Sequence, residues 1–311
     1  MLKDYLRLHF IVLLWGFTAI LGKLLAPMPS VELVFWRTLL ASVGLAGLLL
    51  GRRLGWRLAP AEALRLLGVG ALVAVHWITF FLAARLASVS VCLAGLATLA
   101  LWSAVLEPLV LWRPVRYFEV GLGLAAMAGL YLVAQAELTQ LGGLLVAVLS
   151  AGISALFSIF NSQLVKRHPP IRLTLYEMVG ACLSIALFLP VYSCYFSQGA
   201  GLHLTWHGYD WLWLLLLAGA CTVYAFAASV ELMKRLSAFA VSLTTNLEPV
   251  YGIILAQLMY LRGVPGFGAE RMNGGFYAGT VLILASVLAH PLLNHLNQRR
   301  QRRREAAEVV V

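Results

Sequence analysis

Charge is scarce in this sequence. Only 12% of its 311 residues are Asp, Glu, Lys or Arg, about half the share found in soluble globular domains. Acidic residues are the rarer kind, 13 against 23 basic ones. With 61% hydrophobic residues and so few charges to coat a surface, the chain reads as an integral membrane protein. The basic excess does not point to nucleic acid, because the Lys and Arg stand in short clusters between apolar runs, as topology signals do. Cysteine is sparse too. Cys92, Cys182, Cys194 and Cys221 lie within or at the ends of apolar segments, with no CxxC or other metal-like spacing, so they read as inert small hydrophobes. Enzyme signatures are missing: there is no HExxH, GxSxG or GxxxxGK[ST], and no Asp pair is placed for a metal. Accordingly no catalytic residue, metal or cofactor is expected.

What is abundant is apolar sequence in lengths of about 20 residues, the span of a bilayer core. Ten such helices are expected, over 8–26, 31–50, 66–84, 89–112, 117–135, 142–165, 172–194, 210–232, 238–261 and 275–294. Lys3 and Arg7 before the first run resemble the start of a signal peptide, but no small-x-small cleavage site follows, so this run reads as an uncleaved first span. With a cytoplasmic N-terminus, 18 of the 23 Lys and Arg fall on inside segments, including the tail QRRQRRR at 298–304. Outside segments hold only Arg85, Arg262 and Arg271, and Lys23 and Arg37 lie within spans. One miscounted helix would swap the sides of everything after it, so this split supports both the span count and cytoplasmic termini.

The two halves share weak similarity. A shift of 141 lays Pro29 on Pro170 and Phe35 on Tyr176, and a shift of 150 lays RLASVSVCL (85–93) on RLSAFAVSL (235–243). Five spans per half is an odd number, so the second copy must enter the membrane from the opposite side. The expected fold is therefore an all-α integral membrane protein of ten transmembrane helices arranged as two inverted five-helix repeats, 1–137 and 138–297, with a basic cytoplasmic tail at 298–311. Leu106-Glu107-Pro108 and Leu247-Glu248-Pro249 match only at the shift of 141, so their likeness carries no weight here.

Polar residues at middle depth are the candidate site. In the ninth span Asn246, Glu248 and Pro249 interrupt an otherwise apolar segment. Pro249 lacks the N–H that would bond the Thr245 carbonyl, so a helix break is expected here. Such a break survives in lipid only where protein or a water-filled cavity satisfies the freed groups. Glu248 then reads as a site carboxylate, the alternative being a structural hydrogen bond at a kink. His76, central in the third span, is the second candidate, against the alternative of a neutral ring tying two helices together. Either group can serve to couple transport to protons. Arg37, about 9 Å inside the second span, is expected to meet a carboxylate of substrate or protein. Lys23 is expected to snorkel. Glu107 and Glu177 read as partners of Arg113, Arg116, Lys166 or Arg172 rather than as guards of the inner opening. Trp15, Trp77 and Tyr251 sit at middle depth beside these polar groups and are candidate walls of a cavity. Gly121, Gly123, Gly129, Gly274, Gly275 and Gly279 are spaced for close packing of helices or a dimer face.

Taken together, Trp15-Gly16, Phe35-Trp36-Arg37, His76-Trp77 with Phe80-Phe81, and Asn246-Leu247-Glu248-Pro249-Val250-Tyr251 resemble an EamA-type transporter of the drug/metabolite transporter superfamily. The resemblance covers nearly the whole chain. It implies a bacterial inner-membrane carrier, often an exporter of amino acids or related metabolites, that works by alternating access. Many such proteins carry a Glu-Arg pair just after the fourth and ninth spans, where this chain has Trp112-Arg113 and Leu261-Arg262. The leading expectation is a secondary transporter, a monomer or homodimer, with a small-molecule substrate and protons as a candidate coupling ion. An intramembrane enzyme, a channel-like pore and a structural membrane protein are the other readings.

Overall fold

Inside a bilayer the backbone has no water to bond, so each apolar run closes its N–H and C=O groups on itself as a helix. The computed structural model describes residues 2–25, 27–87, 89–134, 141–197, 205–264, 267 and 274–308. Every regular element among them is helical. In chain order these are α1 (Leu2–Leu24), α2 (Ser30–Gly51), α3 (Pro60–Leu86), α4 (Val89–Leu96), α5 (Leu99–Leu111), α6 (Tyr117–Ala134), α7 (Leu141–Leu164) and α8 (Pro170–Tyr195). Next come α9 (Asp210–Ala218), a π-helical segment (Gly219–Tyr224), α10 (Ala225–Leu232), α11 (Ala238–Thr245), α12 (Glu248–Leu261) and α13 (Gly274–Glu308). The boundary expected between 137 and 138, residues 198–204 of the long loop, Arg271 and the last three residues of the tail lie outside the described residues.

Among the described residues, eight stretches are long and apolar enough to cross a membrane: α1, α2, α3, α7, α8, Asp210–Leu232, Ala238–Leu261 and Gly274–Arg300. The remaining two expected spans take shorter form. The run 89–112, expected as one helix, is α4 and α5 with a break at Ala97 and Thr98, and the run 117–135 is α6. No proline causes the break at Thr98. Instead the Thr98 N–H and hydroxyl both donate to the Gly95 carbonyl, at 3.2 and 2.7 Å, a tight three-residue closure in place of the helical bond. At the other end of the chain, α13 continues through the basic tail to Glu308, because Gln, Arg, Ala and Glu are good helix formers.

Helices in lipid associate by close packing rather than by escaping water. Accordingly α3 lies against both α7 and α8, α2 against α8 and α9, α1 against α12 and α10, α4 and α5 against α7, and α6 against α13. Glycine sets the closest crossings. Gly70 of α3 rests on the Glu177 backbone of α8, and Gly180 of α8 rests on the Leu67 backbone of α3. Gly129 and Gly279 meet each other in the same reciprocal way between α6 and α13, whereas Gly121 and Gly274 face open space.

Ion pairs gather at one end of the bundle. Arg7 pairs with Glu231 at 2.8 Å, Arg235 with Asp4 at 2.6 Å, Arg116 with Glu119 at 3.1 Å, and Arg113 with Glu107. Arg172 and Tyr176 donate to the carbonyls of Gly55 and Trp56 at this end too. At the other end Arg85 donates to the Met28 carbonyl at 2.6 Å, and Lys23 sits 4.8 Å from the centre of the Phe267 ring instead of reaching out unpartnered.

Candidate functional site

A cavity of about 100 Å³ lies among α1 to α7, α10, α11 and the start of α12, room for several water molecules. Trp15, Arg37, His76, Trp77, Asn246, Glu248 and Pro249 all line it. Tyr251 is not on its wall. One turn beyond Glu248, its hydroxyl meets His9 Nδ1 at 2.9 Å.

The break that brings Glu248 to the cavity falls just before the proline. Helix α11 ends at Thr245, Asn246 and Leu247 form the turn, and α12 starts at Glu248 with Pro249 in its first turn. There the missing N–H costs nothing and the fixed φ suits the helix start. The turn is closed by three-residue bonds, Asn246 N–H to Leu243 O at 3.3 Å and Leu247 N–H to Thr244 O at 3.0 Å. Glu248 thus occupies the first turn of a helix, where the backbone dipole favours a negative charge. Its carboxylate makes no hydrogen bond among the described residues, and the buried Asn246 Nδ2 has no partner either.

Arg37 reaches the cavity from α2. Its Nε donates to Thr222 Oγ1 at 2.8 Å, and its guanidinium lies 3.7 Å from the centre of the Trp77 ring. A desolvated cation on an indole face is worth about 2 kcal/mol. The expected carboxylate contact is replaced by a hydroxyl and a ring, while Glu248 lines the same cavity. Thr222 is available because the π segment frees it: its own hydroxyl donates to Leu217 O, five residues back, at 3.0 Å. The neighbouring Cys221 carbonyl accepts from Trp15 Nε1 at 3.2 Å.

Hydrogen bonding assigns the tautomer of His76. Its Nδ1 lies 3.0 Å from the Ser150 carbonyl and 2.9 Å from Ser150 Oγ, and that hydroxyl donates to the His76 carbonyl at 2.9 Å. The Ser150 proton is therefore already used, so Nδ1 must carry the hydrogen. In the neutral ring this leaves Nε2 as an acceptor. Phe157 packs 5.5 Å from the His76 ring, and Phe226 lies edge-on to Trp77 at 6.0 Å, so aromatic surface closes the cavity beside the polar groups.

The two further glutamates differ. Glu107 is buried, pairs with Arg113 and accepts the Phe239 N–H at 3.2 Å. Glu177 pairs with none of the expected basic residues. It is fully buried, and neither carboxylate oxygen has a hydrogen-bond partner. The reason is rotational: its backbone rests on Gly70 of α3 and its side chain faces Asn161 of α7, so it meets none of those basic groups.

Sequence reasoning passed over Thr222, Ser154, Ser158, Asn161, Ser229, Ser242 and Thr245, all but Thr222 lining the cavity. A signal was present on α7. Ser150, Ser154, Ser158 and Asn161 recur at spacings of four, four and three, which stacks them on one face of an otherwise apolar helix.

Residues 141–290 match the family model described as the EamA-like transporter family. An uncharacterized transporter of Archaeoglobus fulgidus is 25% identical over 287 residues, covering 86% of this chain and 95% of that relative. A protein of known crystal structure superposes with a TM-score of 0.74 at 17% identity, over 94% of this chain and 98% of the other. That likeness concerns the fold.

Proposed function

We propose that the chain, whose residues 141–290 match the EamA-like transporter family, is a multi-pass membrane transporter of that kind, a secondary carrier that exports amino acids or related amphipathic metabolites by alternating access. The observation that carries this reading is the cavity, where Arg37 and Glu248 offer opposite charges between Trp15, Trp77, Phe157 and Phe226. A zwitterion with an apolar side chain fits that chemistry. Its carboxylate would take the guanidinium N–H groups that Thr222 leaves free, its ammonium would face Glu248, and His76 Nε2 and Asn246 Nδ2 supply an acceptor and a donor between them.

Two inverted five-helix repeats are part of the proposal. The packing supports them, since its pairs exchange under a swap of halves: α1 on α12 corresponds to α7 on α4 and α5, and α3 on α8 corresponds to α2 on α9. Under the same swap α6 and α13 pair with each other. The breaks at Ala97 and Thr98 and at Asn246 and Leu247 also fall at matching places, 149 residues apart. Helices interrupted near the midplane are the usual place for substrate in carriers built this way. The ion-paired end is proposed to face the cytoplasm of a bacterium, with both termini there, as its basic excess supports.

The test is counterflow in proteoliposomes preloaded with single unlabelled amino acids. Saturable exchange of a labelled amino acid is the expected result. Non-saturating flux, or no exchange with any member of the panel, would overturn the reading.

A further inference from the structure

Glu177 stands behind the cavity wall with no part in the substrate contacts just described. A carboxyl group that is fully buried needs either a counter-ion, hydrogen-bond donors or a proton of its own. The helices packed on α8 bring no counter-ion. Their titratable side chains are Glu32 and Arg37 on α2, Glu62, Arg65, His76 and Arg85 on α3, and Glu231 on α10, with Arg172 and Tyr176 on α8 itself, and among the described residues neither carboxylate oxygen of Glu177 bonds to any of them. Arg37, His76, Arg85 and Glu231 are engaged with Thr222, Ser150, Met28 and Arg7. The polar neighbour is Asn161 of α7, which faces Glu177 without forming a hydrogen bond of normal geometry. Asn161 is itself fully buried with both amide atoms unpartnered, and it belongs to the cavity wall.

We propose that Glu177 is a proton-binding site at the contact between α3 and α8, protonated while α3 covers it and exchanging its proton with the cavity past Asn161 when that contact opens. The location makes the site conformational. Gly70 and Gly180 let the two backbones touch directly at the residue that bears the carboxyl, Gly70 resting on the Glu177 carbonyl, so a small separation of α3 from α8 admits water that the closed contact excludes. The step is an acid dissociation: the carboxyl O–H bond breaks, its electron pair stays on the Glu177 oxygen, and the proton passes to water in the cavity and on to whichever side the cavity faces. Closure reverses it, and a carboxylate that failed to regain its proton would oppose closure by the cost of burying its charge. This links the proton to the conformational cycle through a residue separate from Glu248 and His76.

The proton site is tested by infrared spectroscopy of the purified protein in lipid at neutral pH. The wild type should show the C=O stretch of a protonated carboxyl in apolar surroundings, Glu177→Gln should remove it, and Asn161→Leu should shift its frequency. Absence of that band from the wild type, or its full persistence in Glu177→Gln, would overturn the assignment. The coupling rests on the carrier reading and is tested in proteoliposomes with a labelled amino-acid mixture and an imposed pH gradient. Wild-type accumulation should follow the gradient, and Glu177→Gln should keep counterflow but lose the response to pH. A variant that still follows the gradient sinks the coupling while leaving the carrier intact. If the wild type exchanges no amino acid, it is the substrate reading that fails, and the infrared result decides the proton site alone.

Discussion

At the scale of single residues, Glu248 owes its setting to the two residues before it. The turn at Asn246 and Leu247 starts a new helix with Glu248 at its head, and the carboxylate is left in the cavity that Arg37 also lines rather than bonded to protein. Glu248→Gln keeps the shape and removes the charge. A charged hydrogen bond to a substrate ammonium is worth about 1.5–3 kcal/mol, or about tenfold or more in affinity. We therefore expect normal insertion of this variant with the KM for amino-acid counterflow raised by about that factor. A wild-type KM would return Glu248 to the role of a structural group in a broken helix. Much of this site was readable in advance, because a carboxylate, an imidazole and a guanidinium in apolar runs stand out by depth alone. Glu177 was misread for a physical reason: depth estimates how far a residue lies from the charged end, but the angle around the helix decides whether it can turn there. Tyr251 shows the same limit, close to Glu248 in sequence yet turned to His9.

At the scale of elements, proline and glycine have separate tasks. Proline starts α3, α8 and α12 in their first turns, and the break before Pro249 was legible from that residue. The break at Thr98 was not, since it rests on a local hydroxyl bond that many threonines never make, and the π segment has no sequence signature at all. Glycine sets how near the helices come. At Gly16 of α1 an added methyl would lie 2.9 Å from Gly252 N, 3.0 Å from Glu248 O and 3.0 Å from Tyr251 Cβ, against the very turn that carries Glu248. Gly16→Val should push α12 away and cost about 1–3 kcal/mol, seen as a lower thermal midpoint in detergent and weaker transport. Gly121→Val, facing open space, should leave the midpoint within a degree or so of wild type, apart from a small helix-propensity change. Equal midpoints for the two variants would show that the α1 contact has slack that the static packing conceals.

At the scale of the whole molecule, the ion-paired end and the basic residues of the chain agree on one side of the membrane, and the tail continues α13 on that side. A cysteine replacing Gln301 in a cysteine-free background should resist an impermeant thiol reagent added to intact cells and react after permeabilisation. Labelling of intact cells would invert the proposed orientation. On the proposed repeat the two halves have ceased to be interchangeable where it matters. The counterpart of Glu248 in the first half is Thr98 at the shift of 150, and the counterpart of Arg37 in the second half is Met178 at the shift of 141. A site built from two equal halves would hold a zwitterion equally well either way round. Here acid and base come to the cavity from different helices, so the proposed amino-acid substrate would have a single heading, with its side chain always against the same aromatic wall.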